Sequence, residues 1–285
     1  MLKLVRVGSV VFVCTIILAM LCTGVVTAQE QKPEDPHQTF LKSLKPTQKQ
    51  TATPDLNETA EQILTLTNKF RVSEKKSKLV ISESLKTAAQ KFAQYMADNS
   101  KFGHEADDRN FLDRAKEAGY LPCLALENIA FTYSTQAFSV KSLSDELMDG
   151  WKKSPGHREN LLDADVTETG IGVARNATTG VYYAVHLFGR PLSAMREFQV
   201  KNETASEVTY SVGEQKFTLL PKIVRTHKYC RSPKVSFAFV ADSDLMKTVS
   251  PAENDKFVVQ MVDGVVGVKQ EASTASEDAD KPVGN

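Results

Sequence analysis

The sequence predicts an α+β protein in two parts: a mixed domain over residues 55–192 and a small all-β domain over 196–270. Three observations carry this. Apolar residues recur at helical spacing four times between Ile63 and Trp151. Two alternating runs, Thr169–Arg175 and Val181–Phe188, then close the first part as strands. Past Glu197 only short period-two runs occur, separated by turn residues, which suits an antiparallel sandwich or barrel.

The chain opens as a leader. Lys3 and Arg6 precede an apolar run from Val7 to Val26, and Val26-Thr27-Ala28 suits a signal peptidase, so residues 1–28 read as a signal peptide cut after Ala28. Uncut, the run is nearly long enough to anchor the chain in a bilayer. Cleavage leaves a mature protein that does not span a membrane and is secreted, periplasmic or held at the cell surface. Residues 29–54 are rich in Gln, Lys, Thr and Pro and read as a disordered linker. Residues 271–285 read as a disordered acidic tail.

Within the first domain, Ile63, Leu66 and Phe70 mark one helix. Leu85, Ala88, Ala89, Phe92 and Met96 mark a second behind Ser82 and Ser84 as candidate caps. A third runs from Asn110 to Ala118 and stops at Gly119, and a fourth presents Leu143, Leu147 and Trp151. Gly170-Ile-Gly172 is followed by strand rather than helix, so it reads as close strand packing and not as a phosphate loop. In the second domain the runs begin at Phe198, Val208, Lys216, Val235 and Lys256, and Asp263-Gly264 is a hairpin turn signal.

Charge excludes one class of partner. With 35 basic against 35 acidic residues the net charge is zero, without the basic footprint that nucleic acid binding leaves. No polybasic membrane patch stands out. Beyond the leader two cysteines remain, Cys123 and Cys230, one per domain; an exported protein can join them or keep both as buried thiols.

The chemistry-bearing residues lie in four segments. Trp151-Lys-Lys-Ser154-Pro-Gly156-His157-Arg158-Glu-Asn160 sets a histidine behind a Ser-Pro-Gly corner, where proline fixes φ and glycine permits positive φ. Phe102-Gly-His104 precedes it, Leu126-Glu127-Asn128-Ile129 lies between, and Tyr182-Tyr-Ala-Val-His186-Leu-Phe-Gly189 follows. In this order the segments resemble the superfamily of cysteine-rich secretory proteins, antigen 5 and pathogenesis-related class 1 proteins (CAP), in its bacterial-type, SCP-like extracellular branch. The resemblance covers roughly residues 57–191, about half the chain. It implies a three-layer α-β-α sandwich with a central cavity lined by His104, Glu127 and His157.

Two neutral imidazoles on one cavity can hold Zn2+, so His104 and His157 are the candidate metal ligands. Glu127 can instead orient a histidine or act as general base. Where many eukaryotic members carry a second glutamate, this chain has Lys152-Lys153-Ser154, which weakens a catalytic reading. His186 is either a further cavity group or a satisfied buried histidine. Asn128, Trp151, Ser154, Gly156, Arg158 and Asn160 read as support, with Glu127-Asn128 holding a loop. The resemblance implies a non-enzymatic protein binding an extracellular lipid, peptide or cell-wall component. The alternative is a zinc-dependent hydrolase or peptidase acting through Glu127 and His157.

Overall fold

The computed structural model describes residues 35–44, 53–237 and 248–271. The expected signal peptide and residues 272–285 of the expected tail lie outside them. No helix among the described residues is long and apolar enough to cross a membrane.

The first domain is a four-stranded sheet between two helical layers, and its strand alternation sorts the core. Strand β4 (Tyr182–Pro191) is buried on both faces. Val181, Tyr183, Val185 and Leu187 face one layer, and Tyr182, Ala184 and Phe188 the other. β4 pairs antiparallel with β3 (Glu168–Arg175) and β2 (Pro122–Thr132), and the short β1 (Val80–Ile81) adds parallel to β3. The order β1-β3-β4-β2 leaves β2 as an edge.

Helices α3 (Glu83–Asn99) and α4 (Phe111–Glu117) cover the first face. Helices α2 (Leu56–Ser73), α5 (Val140–Lys153) and α6 (Pro155–Leu162) cover the second. The caps follow the sequence: Ser82 accepts from the Leu85 N–H, Asn110 from Asp113, and Gly119 follows α4 at φ 85°. Gly170 and Gly172 let α3 lie directly on β3. A Cβ on Gly170 would sit 2.1 Å from the Leu85 carbonyl carbon, and one on Gly172 2.4 Å from that of Ala89.

Two expectations need correction. The linker is not uniformly extended, because Pro36–Ser43 form α1, capped by Asp35. His37 is buried with its Nε2 3.0 Å from the Tyr183 hydroxyl, in a box with Phe102 and Phe131. Its spacing from Phe40 and Leu41, which also reach the core, escaped notice in so polar a segment. The Ser-Pro-Gly corner is the start of α6, with Pro155 in its first turn, and Gly156 does not use positive φ. Glu127-Asn128 sits on β2, from which Glu127 bonds His104 in the preceding loop and Asn128 the His157 carbonyl.

The second domain is a sandwich of two separate four-stranded sheets rather than a barrel. One holds β7 (Gln215–Leu219), β6 (Val208–Val212), β9 (Val235–Phe237) and β10 (Thr248–Val249). The other holds β8 (Val224–Tyr229), β5 (Arg196–Asn202), β11 (Lys256–Val262) and β12 (Val265–Glu271). Their inner faces share one core around Phe198, Tyr210, Phe237 and Phe257. The pairing is not wholly antiparallel, since β5 and β11 run parallel. Asp263 and Gly264, both at positive φ, close the β11–β12 hairpin as expected. Glu271, assigned to the tail from sequence, ends β12.

The domains are tied together. Cys123 at the start of β2 forms a disulfide with Cys230 after β8, with Cα atoms 5.4 Å apart. Asp165 accepts from Arg196 Nη1 at 2.9 Å and from the Ser232 hydroxyl at 3.2 Å, and Asp163 pairs with Arg231.

Two outcomes follow from this packing. Gly172→Ala drives a methyl into the α3 backbone and lowers stability by about 3 kcal/mol or more in urea unfolding. His186 is wholly buried, and burial first and the Arg71 guanidinium second push its pKa down to about 3. The unfolded chain binds a proton near pH 6.5 that the native state refuses. Stability is therefore full above pH 6.5 and falls below it, by at most ~1.4 kcal/mol per pH unit for this residue. Urea midpoints at pH 7.5 and 5 should differ less for His186→Gln than for the parent.

Candidate functional site

The site is built on the free edge of β2. Edge carbonyls must find donors, and two side chains from the α5–α6 corner supply them. Trp151 Nε1 donates to the Ile129 carbonyl at 3.2 Å, and Asn160 Nδ2 to the Glu127 carbonyl at 3.3 Å. Asn160 also donates to Asn128 Oδ1 at 2.8 Å, while Asn128 Nδ2 donates to the His157 carbonyl at 3.0 Å. These bonds fix α6 against the strand and so place His157.

The other supporting residues anchor the same corner. Ser154 ends α5 and begins α6 through its backbone, without a side-chain cap bond. Arg158 donates to Glu74 Oε1 at 2.7 Å and lies over Phe70, which joins α6 to α2. Gly156 stands in the first turn with nothing within 4 Å of the place of a Cβ.

Alternation along β2 turns Glu127 to the opposite face from Asn128, toward the loop that carries His104. His104 Nδ1 donates to Glu127 Oε1 at 2.8 Å, and Arg114 Nη2 donates to Glu127 Oε2 at 2.8 Å. The Glu127 side chain is 1% exposed and that of His104 53%. The buried carboxylate is thus held from both sides, and the imidazole it holds reaches solvent. Arg114 also donates to Asp107 Oδ1 and to the His104 carbonyl, and its guanidinium lies 3.5 Å from the centre of the Phe92 ring.

His157 is half-buried. Burial, and after it the neighbouring His104, lower its pKa from the ordinary value, so it is neutral at pH 7. The structure joins His104 to Glu127 by a hydrogen bond and leaves His157 near enough to His104 to feel its charge, beside the edge of β2. It does not bring His186 there. That residue pairs with Asn128 across the sheet, on the α5 face. Its Nε2 lies 2.9 Å from the Thr169 hydroxyl and its ring stacks on Phe188.

Sequence reading missed Arg114 and Asp107. Both sit among charged neighbours, and nothing in their spacing separates them from a solvated face. Beside them a pocket of about 130 Å3 is lined by Phe92, Tyr95, Asp107, Arg109 and Arg114, among others. No group of three or more His, Cys, Asp or Glu residues that could hold a metal ion occurs among the described residues. Arg114→Met leaves Glu127 buried without its cation and should cost about 3–5 kcal/mol in urea unfolding, part of it recovered by adding Glu127→Leu.

Residues 64–188 match the profile of the cysteine-rich secretory protein family, CAP. An uncharacterized membrane protein of Bacillus subtilis, YlbC, is 33% identical over 120 residues, which are 42% of this chain and 32% of the relative. A second B. subtilis protein, YkwD, is 29% identical over 119 residues, 41% of this chain and 43% of the relative. The chain thus spans well under two thirds of either. Among solved structures, an extracellular protein containing an SCP domain from Bacillus anthracis aligns at 27% identity and TM-score 0.40, over 47% of this chain and 41% of that one. An outer surface protein of Borrelia burgdorferi aligns at 21% identity and TM-score 0.40, over 49% of this chain and 98% of that one. Residues 64–188, which include His104, Glu127 and His157, form a domain of the cysteine-rich secretory protein (CAP) family.

Proposed function

We propose that this is an exported binding protein without enzymatic activity, whose cleft presents His104 and His157 to a peptide, lipid or cell-wall component. The engagement of Glu127 carries the reading. A general base must come within hydrogen-bond reach of the proton it takes. Here one carboxylate oxygen is held by Arg114 and the other by His104, in a side chain that is 1% exposed. The exposed group is an imidazole whose Nδ1 is committed to Glu127, which leaves Nε2 to meet a ligand. Ser154, the hydroxyl nearest His157 in sequence, joins two helices through its backbone, which is no arrangement for a nucleophile.

The same geometry supports a second reading as a zinc-dependent hydrolase. A carboxylate bonded to Nδ1 orients a histidine toward metal through its other nitrogen, and a lowered pKa keeps His157 free to ligate. His104 and His157 would hold the ion, which would supply Lewis acidity to a bound water or carbonyl. Two protein donors fall one short of the three that catalytic zinc sites use, so binding stays the first reading.

The parent protein and a His104→Ala/His157→Ala variant are expected to behave alike in peptidase and esterase assays with added Zn2+, neither exceeding the uncatalysed rate. Retention on peptide, lipid and wall-polymer supports should fall only in the variant. Zinc-dependent turnover abolished by Glu127→Gln overturns this in favour of the hydrolase.

A further inference from the structure

Between Gln215 and Phe237 the chain carries Lys216, Lys222, Arg225, Lys228, Arg231 and Lys234, and no acid. In a protein of zero net charge this is a local excess that the whole-chain balance conceals. The segment contains β7 and β8, each the edge strand of its own sheet. Lys222 pairs with Glu203 and Arg231 with Asp163. Among the described residues Lys216, Arg225, Lys228 and Lys234 make no ion pair, and all four are exposed.

The turn joining β7 to β8 is aliphatic at its surface. Ile223 N–H donates to the Leu220 carbonyl at 3.3 Å, and the Leu220, Ile223 and Val224 side chains are 60%, 48% and 44% exposed. Lysines on an edge strand keep other strands from pairing with it, which accounts for the charges alone. Three exposed aliphatic residues at the tip serve no such end, since polar residues would fill a surface turn at no cost. Aliphatic groups flanked by Lys222 and Arg225, with Lys216 and Lys228 farther along the two strands, match a surface that is apolar beneath a layer of phosphate, which is an anionic bilayer. A soluble polyanion would use only the cations.

We propose that the β7–β8 edge of the second domain docks on anionic membranes, with Leu220, Ile223 and Val224 entering the headgroup boundary among the cations. This stands apart from the cleft of the first domain and from its ligand. The surface holds the domain at a bilayer without spanning it.

The test is co-sedimentation of the chain from residue 29 onward, which lacks the apolar run 7–26, with phosphatidylglycerol–phosphatidylcholine vesicles and with phosphatidylcholine alone. Binding is expected to the anionic vesicles only. Leu220→Ser/Ile223→Ser and Lys216→Glu/Lys228→Glu should each weaken it roughly tenfold or more, and salt should weaken it further. All four positions are exposed, so thermal unfolding of the variants should match the parent. No binding to anionic vesicles overturns the proposal. So does binding that Leu220→Ser/Ile223→Ser leaves unchanged while Lys216→Glu/Lys228→Glu abolishes it, the pattern of a polyanion site.

Discussion

The free edge of β2 organises the first domain. A buried strand edge cannot leave its carbonyls unpaired, and among the described residues no further strand pairs with this one. The α5–α6 corner meets the need with Trp151 and Asn160, reaching the carbonyls of Ile129 and Glu127. Because these carbonyls are two residues apart on one strand, satisfying both sets the height and the rotation of the corner. His157, between Trp151 and Asn160 in sequence, is then delivered to the strand edge as a consequence.

The second condition is a buried carboxylate. Glu127 points from β2 into the opposite layer, where an unpaired charge would be costly. Arg114 and His104 divide its two oxygens, and Arg114 in turn holds Asp107 and the His104 carbonyl. The loop carrying His104 is thereby locked to α4 and to the sheet at once. His104 and His157 thus take their places from two different layers, one held by a carboxylate that Arg114 neutralises and the other by the closing of a strand edge.

The linkage to the second domain begins on the same strand. Cys123 opens β2, and its disulfide to Cys230 crosses 107 residues of sequence. Asp163 and Asp165, just past α6, receive Arg231, Arg196 and Ser232 from the sandwich. The placing of Glu127 and the docking of the second domain thus rest on one strand and on the loop that follows α6. What the sandwich presents outward, a cationic edge with an aliphatic tip, is left free by that arrangement.

Local pattern was enough for much of this. The helical period of Leu85 through Met96, the candidate cap at Ser82, the alternation of β4 and the Asp263-Gly264 turn are short-range signals, and each appears where the sequence predicts it. The four motif segments identified His104, Glu127 and His157. Strand β2 did not show itself, because it spans Pro122 and the polar pair Glu127-Asn128, whose side chains are satisfied only by partners from α4, α6 and the His104 loop. Helix α1 was hidden for a related reason: His37 becomes a core residue only against Tyr183, 146 residues away. By itself the sequence determined the layers of the first domain, the change to strands in the second and the residue types of the cleft. Tertiary structure decided which of those residues meet, that His186 stays apart and that Cys123 finds Cys230, because each depends on groups distant in sequence sharing one desolvated space.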